Sequence, residues 1–402
     1  MTHDQLGQLL LSAVRAQRFW LTPDAMSDGG QVAHFPSIDL ALVAFPRQAP
    51  PVWANVLFSR EHPQGVVADI GSDAGPLRNV HFDADVRDDQ QRSVAWWPDS
   101  DWQQLHFPPL WGRGPIRFVA PYPASLAKLM VAVGVARLVD RHDASWSDPL
   151  EYAGAVHSIE QHGEDMITVS GNSSTSALVA MLHRSGILGP AGDPLHDAFA
   201  LYGLPTLRFE NSRPDGGWGN VAGAGVGQLQ MTAWDTARLL WLLDADAPPA
   251  PWLARGMPPL LSRDSQRELR QWLEAQALHE VLSSTALAGE RGWVAGLPAR
   301  LPARWIDADG AVVAGGYRFA ADVRPASDHA TLRFAHKTGT TENYASDAGI
   351  VRGIGPSRHC HYIIALLSNL GTRYAPTPNC ATTWRIPALG RTIDAALMPW
   401  LG

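Results

Sequence analysis

Three short groups of residues in this 402-residue chain have the types and spacing to do chemistry: Ser125 and Lys128 in "YPASLAKLM", Ser170 and Asn172 in "TVSGNSS", and Lys337, Thr338, Gly339 and Thr340 in "AHKTGTT". A serine is a poor nucleophile until a base takes its proton. A lysine three residues on along a helix shares its face and can be that base, provided burial or a positive neighbour lowers its pKa. A helix N-terminus there adds backbone N–H groups for a developing oxyanion. A hydroxyl and a carboxamide two apart suit a loop between helices, one relaying a proton and the other holding a substrate carbonyl. A lysine with hydroxyls on an exposed strand would bind an anionic substrate, with Gly339 leaving room for a ligand against the backbone. Taken singly, each group also has an ordinary reading: a solvated lysine at a helix start, a Ser/Asn helix cap, and a hairpin with a solvated lysine.

These residues need elements to position them. Residues 5–17 are predicted to be a helix, and 38–60 two strands joined by a proline-rich turn. Residues 61–115 read as loops with short strands, and 125–140 as an apolar helix. A helical region is expected near 155–185. Further helices are expected in "PLHDAFALYGL", in "MTAWDTARLLWLLDAD" with Thr232 as cap, and in "SRDSQRELRQWLEAQALHEVL". A glycine-rich loop runs from 213 to 227. Residues 290–330 have the glycine and proline punctuation of an insertion. The strands "LRFAHKTGT", "SDAGIVRGI" and "HYIIALLSN" and a last helix near 389–400 close the chain. Strands near the start and after a helical middle imply one sheet built from both ends.

Composition sets outer bounds. Apolar residues make up 46% and charged residues 18%, which predicts a packed globular core. A net charge of −7 with mixed signs leaves no electrostatic footprint for nucleic acid. No run approaches the ~20 apolar residues of a membrane span. The N-terminus has no basic region ahead of its apolar stretch and reads as an amphipathic helix rather than a signal peptide. The expected location is therefore cytoplasmic, or periplasmic or secreted if the start is trimmed from a longer precursor. The two cysteines, Cys360 and Cys380, cannot make a disulfide framework, and whether they form one bridge stays open. His359 and His361 would share a strand face, but no third ligand lies nearby, so no metal and no organic cofactor is expected. Trp96, Trp97 and "WPDSDWQQLHFPPLWG" are read as packing a loop onto the core, the alternative being an aromatic substrate wall.

Together the three groups, in the order S-x-x-K, S-x-N and K-T-G, resemble the motif set of penicillin-recognising serine enzymes. The chain is identified as a member of the serine β-lactamase and D-alanyl-D-alanine carboxypeptidase (penicillin-binding) superfamily, and its layout most resembles class A β-lactamases. "PASLAKLM" looks like the nucleophile segment of the carboxypeptidases, "LYGLPTLRFEN" resembles a segment of both branches, and "KTGTTENYASDAGIV" resembles the class A end strands. The resemblance spans roughly residues 115–285 and 330–400. It implies an α/β (α+β) sandwich, a mostly antiparallel sheet flanked by helices, with an all-helical subdomain near 125–285. Residues 1–115 would contribute the first helix, strands and loops, and 116–402 the catalytic region. It also implies roles: Ser125 as acylated nucleophile, Lys128 as its base, Ser170 as proton relay to the leaving group, and Asn172 on the substrate amide. Lys337, Thr338 and Thr340 would hold the substrate carboxylate, and the N–H groups of Ser125 and Thr340 the oxyanion.

The sequence departs from that pattern in four places. The class A E-x-x-L-N loop, whose glutamate activates the deacylating water, is absent. Glu210 in "LRFENSRPDGGWGN" is a weak substitute, with a pairing to Arg208 or Arg213 as the simpler reading. The first two motifs are closer together than usual, and the second and third are farther apart because of the insertion near 290–330, which could cover or reshape the cleft. No export signal is evident. The expectation is a serine hydrolase that cleaves an amide, β-lactam or ester in a carboxylate-bearing small molecule or peptide. A D-alanyl-D-alanine carboxypeptidase-like enzyme or transacylase is the alternative, and a non-catalytic binding module that kept the fold is the rival of another class.

Overall fold

The two ends of the chain meet in one sheet. A computed structural model describes residues 1–86, 93–97, 100–189, 194–218 and 229–401. From the N-terminal end come α1 (His3–Gln17), β1 (Ile38–Ala44), β2 (Val52–Phe58) and β3 (Val66–Val67). A separate three-stranded sheet follows, built from β4 (Val80–Asp83), β5 (Pro109–Gly112) and β6 (Ile116–Val119). A 3-10 turn (Ala124–Ala127) leads into α2 (Lys128–Asp140), then α3 (Ile159–Thr168), α4 (Asn172–Arg184), α5 (Pro194–Leu201), α6 (Ala233–Leu243) and α7 (Arg263–Glu274). The chain returns through β7 (Leu332–Thr340), β8 (Ala345–Gly353), β9 (His361–Ser368) and α8 (Arg385–Leu401). The main sheet runs β7-β8-β9-β1-β2-β3, and every neighbouring pair is antiparallel. This is the mostly antiparallel sheet expected from the sequence.

Both faces of the sheet are covered, which explains why its strands are nearly continuous apolar runs. Alternate residues go to opposite sides. Tyr362, Ile364 and Leu366 pack with Leu6 and Leu10 of α1 and with Ile386, Leu389 and Ile393 of α8. Ile363, Ala365 and Leu367 pack with the apolar residues of α2, α4 and α6. Buried Asp39 ties the sheet to α6: it accepts hydrogen bonds from Asn55 Nδ2 (2.7 Å) and from the backbone N–H of Ala233 (2.8 Å) at the helix start. Thr232 caps that helix, as its position ahead of the apolar run predicts.

Two segments depart from the sequence reading for local reasons. Residues 149–158 form a hairpin, Pro149–Tyr152 with Ala155–Ser158, where a helix was expected from 155. The turn residues Ala153 and Gly154 both have positive φ, and such two-residue turns favour hairpins. The helix expected to run through "ALHEVL" ends at Glu274. Beyond it the Ala277 N–H bonds to the Thr168 carbonyl (2.9 Å), and the Gln276 side chain donates to the Ile167 carbonyl (2.8 Å). These tertiary bonds override helical propensity. The insertion has a small core of its own, in which Val312, Phe319 and Val323 pack with Leu287, Leu301 and Cys380.

The sheet edge β7 and the turn that carries Ser125 are held almost in backbone contact. A Cβ at Gly339 would lie 2.3 Å from the Pro123 carbonyl oxygen and 2.6 Å from the Leu126 nitrogen. The space that Gly339 leaves is therefore filled by the protein's own turn rather than by a ligand. Ser346 on β8 fastens the same contact, its hydroxyl lying 2.6 Å from the Pro123 carbonyl oxygen and 3.1 Å from that of Gly339. Gly339→Ala should cost about 2–3 kcal/mol by overpacking and displace the turn. Thermal melting should show the loss, and labelling of Ser125 by an active-site acylating probe should slow on the order of a hundredfold. Normal labelling in the variant would show that this contact does not set the position of Ser125.

Candidate active site

Ser125 lies in the 3-10 turn and Lys128 opens α2, so the two are one 3-10 turn apart, where side chains at i and i+3 eclipse. The backbone ahead of Ser125 is strained: Ala124 has φ +51°, an uncommon conformation for a residue with a side chain. Ser125 is half-buried, and among the described residues its hydroxyl makes no hydrogen bond. Lys128 is fully buried. Its amine donates to the Ser170 carbonyl oxygen (2.6 Å), to Ser170 Oγ (3.0 Å) and to Asn172 Oδ1 (2.8 Å).

Ser170 is also strained, with φ +61°. Gly171 is required behind it, because a Cβ there would fall 1.8 Å from Asp165 Oδ2. Neither polar residue of this motif caps α4: the cap position is Gly171, with no side-chain cap bond. The ordinary capping explanation for Ser170 and Asn172 therefore does not describe them.

Lys337, also fully buried, reaches the same hydroxyl from β7. Its amine donates to Ser170 Oγ (3.0 Å) and to the Thr338 carbonyl oxygen (2.8 Å). Ser170 Oγ thus accepts from two lysine amines, which directs its own proton elsewhere. Burial, and secondarily the charge of Lys337, lower the Lys128 pKa to about 6. Burial lowers that of Lys337 to about 7, against the opposing pull of Asp347 and Glu280. Thr338 is buried and Thr340 half-buried at the strand end. Lys128, Ser170, Asn172 and Lys337 are therefore joined by hydrogen bonds. Thr338 is joined through its carbonyl, and Gly339 packs against Pro123 and Leu126 of the turn that carries Ser125.

Glu210 is placed differently. Its carboxylate pairs with Arg208 (3.2 Å), both side chains being well exposed, and among the described residues it does not bond Lys128 or Ser170. What lies over the Lys128 amine is Trp218, with its ring centroid 5.3 Å from Nζ and Phe209 stacked on it. Sequence reasoning did not single out Trp218. The signal was faint, an aromatic residue at the edge of the glycine-rich loop whose residues 219–227 lie outside those described. Ser346 and Asp165 were likewise not picked out, since Ser346 acts through a contact with Pro123 far away in sequence and Asp165 through the space it takes up beside Gly171.

Other side chains weighed from the sequence have structural partners. Trp96 is buried and donates to Tyr344 Oη (2.8 Å), and Trp102 is buried and donates to the Ala95 carbonyl (3.0 Å). His361 bonds Asp244 (2.7 Å) and stacks on Phe45. Among the described residues no group of His, Cys, Asp and Glu is placed to hold a metal ion. Cys360 and Cys380 are both free and buried. No helix among the described residues is long and apolar enough to cross a membrane.

No protein-family profile matches the chain, and no curated protein sequence does. Solved structures do. A point mutant of PBP-A, determined as an acyl-enzyme complex with penicillin G, aligns over 99% of this chain and 98% of its own, at 13% identity and a TM-score of 0.50. The fold is that of the β-lactamases and penicillin-binding proteins. β-Lactamases from Sphaerobacter thermophilus (15% identity, TM-score 0.46, 97% of this chain and 96% of that one) and Xanthomonas campestris pv. campestris (12%, 0.47, 100% and 98%) are also similar.

The indole over Lys128 has two opposed effects on the amine. Its face favours the cation by roughly 0.5–2 kcal/mol, while the exclusion of water disfavours it. Water exclusion is the dominant cause of a shift from 10.5 to about 6, which amounts to roughly 6 kcal/mol. Trp218→Ala should therefore raise the Lys128 pKa, and Trp218→Phe should largely preserve it. The check is the pH dependence of Ser125 acylation, whose ascending limb should move to higher pH in the alanine variant alone.

Proposed function

We propose that the protein is a serine acyl-transfer enzyme that opens an amide, β-lactam or ester in a carboxylate-bearing substrate through an acyl-enzyme at Ser125. The observation that carries this reading is the convergence of two buried lysine amines on Ser170 Oγ, each at 3.0 Å. Two desolvated lysines within reach of one hydroxyl are costly to bury, and perturbed groups of this kind cluster at sites of proton transfer.

The residues divide the reaction between them. Neutral Lys128 takes the proton of Ser125 as its oxygen attacks the substrate carbonyl carbon. The N–H groups of Ser125 and Thr340 hold the oxyanion. As the tetrahedral species collapses, the C–N or C–O bond breaks. Ser170 gives its proton to the departing nitrogen or oxygen and recovers one from Lys128. Asn172 uses Oδ1 on Lys128, so its amide hydrogens remain for the substrate carbonyl. Charged Lys337, with Thr338 and Thr340, fixes the carboxylate. Water then releases the acyl group.

This last step favours a peptidase-like or transacylase-like enzyme over a fast β-lactamase. Glu210 is engaged by Arg208, and an indole rather than a carboxylate covers Lys128. A deacylating water would lack an evident base among the described residues.

Intact-protein mass spectrometry after incubation with a fluorescent penicillin and, separately, with nitrocefin tests the reading. A lasting adduct on the wild-type protein, absent in Ser125→Ala, is the expected result. Rapid nitrocefin turnover without an adduct would make the protein an efficient β-lactamase. Failure of these probes and of a fluorophosphonate to label Ser125 would leave the binding-module alternative.

The lysines set a second expectation. Lys128 must be neutral, so acylation rises with pH through about 6. Lys337 must be charged, so binding of the carboxylate weakens as pH passes about 7. The kcat/KM profile for a carboxylate-bearing substrate should be a narrow bell with limbs near those values. A substrate methylated at that carboxylate should lose the alkaline limb.

A further inference from the structure

The insertion does more than extend the chain. Its hairpin, Val313–Ala314 with Tyr317–Arg318, faces a pocket of about 270 Å³. Arg318, Phe319, Leu278, Glu280, Val169 and Thr340 are among the residues that line it. Val169 immediately precedes Ser170, and Thr340 ends the K-T-G-T strand, so the pocket adjoins the end of the cleft assigned above to the substrate carboxylate.

The charges in this pocket are unequal. Arg318 is already held by Asp307 and Asp309, each at 2.9 Å. Among the described residues Glu280 accepts no hydrogen bond and forms no ion pair. Glu280 is half-buried and lines the pocket together with the apolar Val169, Leu278 and Phe319. Such a lining suits a side chain with a methylene stem and a charged tip.

We propose that this pocket is a subsite for a protonated amine on the carboxylate-bearing half of the substrate, with Glu280 as its counter-ion. The substrate class is then an acylated amino acid or peptide whose departing residue carries both a carboxylate, taken by Lys337 and Thr340, and a cationic side chain of lysine-like length, taken by Glu280. The inference rests on the assignment of the carboxylate in the proposed function. Burial pushes the Glu280 pKa up to about 7, and a bound ammonium draws off the remaining proton. The influence of Glu280 falls on Lys337, which places it on the recognition side of the site.

The test compares N-acetyl-D-alanyl-D-lysine with N-acetyl-D-alanyl-D-norleucine, which lacks only the ammonium group. In the wild-type protein kcat/KM should favour the lysyl compound on the order of tenfold or more, the effect of one charge-assisted contact. The preference should collapse in Glu280→Gln and persist in Glu280→Asp. Because it is a ratio, it does not depend on the fraction of enzyme folded. Equal rates in the wild type, or an unchanged ratio in Glu280→Gln, would overturn the proposal. If neither compound turns over but penicillin still labels Ser125, the ratio is read from their competition with labelling. If no probe labels Ser125, the acyl-transfer reading fails by itself, and calorimetric binding of the two compounds decides the subsite. Preferential lysyl binding that Glu280→Gln abolishes would support it, and no preference would end it.

Discussion

Two lysine amines on one serine hydroxyl are the constraint to which the rest of the structure answers. Lysine is among the residues least often buried without a charge partner. Here Lys128 and Lys337 are both fully buried, and both donate to Ser170 Oγ. The arrangement persists only if the surrounding fold fixes the amines and keeps water from them. The stable side of the bargain is the double-faced sheet and its apolar helices. The strained side is local: Ala124 and Ser170 are in left-handed conformations, and beside Asp165 there is room for no side chain at position 171.

The constraint also explains why the residues of the candidate site come from distant stretches of chain. Lys337 lies on the edge strand of a sheet whose other strands include both ends of the chain. Ser125 and Lys128 sit at the start of the apolar helix α2, and Ser170 and Asn172 at the break between α3 and α4. Gly339 and Ser346 reconcile the sheet with the turn, one by leaving out a side chain and the other by bonding two backbones at once. Asp39 does the same job further along, joining β1 to the start of α6. Polar contacts between elements therefore fix position, while apolar packing supplies stability.

Much of this was legible in the sequence, and the limits have physical causes. The strands of the sheet, α1, α2 and α6 with its Thr232 cap follow from periodicity and end signals, because local pattern and tertiary fate agree there. The three motifs were legible by joint occurrence, since no one of them separates a site from a cap or a hairpin. The helix expected through "ALHEVL" fails because Gln276 and Ala277 find better partners on α3. The expectation that Gly339 leaves space for a ligand fails because sequence spacing does not show that Pro123 and Leu126 occupy that space. Trp218 has only a faint local signature, and Glu280 has none. Each matters through what lies across the cleft from it.

The placement of those two residues separates the halves of the proposed reaction. An indole covers the lysine that would activate Ser125, and a carboxylate lies toward the lysine that would bind the substrate. Were the carboxylate at Lys128, it could hold a water against the acyl-enzyme and hasten its hydrolysis. Toward Lys337 it can instead act on what binds before acylation. On the proposed reading, a hydrophobic cover over Lys128 would favour formation of the acyl-enzyme, because it keeps the amine neutral, and would offer a deacylating water no polar partner. On the proposed reading, the cover over Lys128 and the carboxylate toward Lys337 would act on base strength and on substrate selection separately, without touching Ser125, Lys128 or Ser170 themselves.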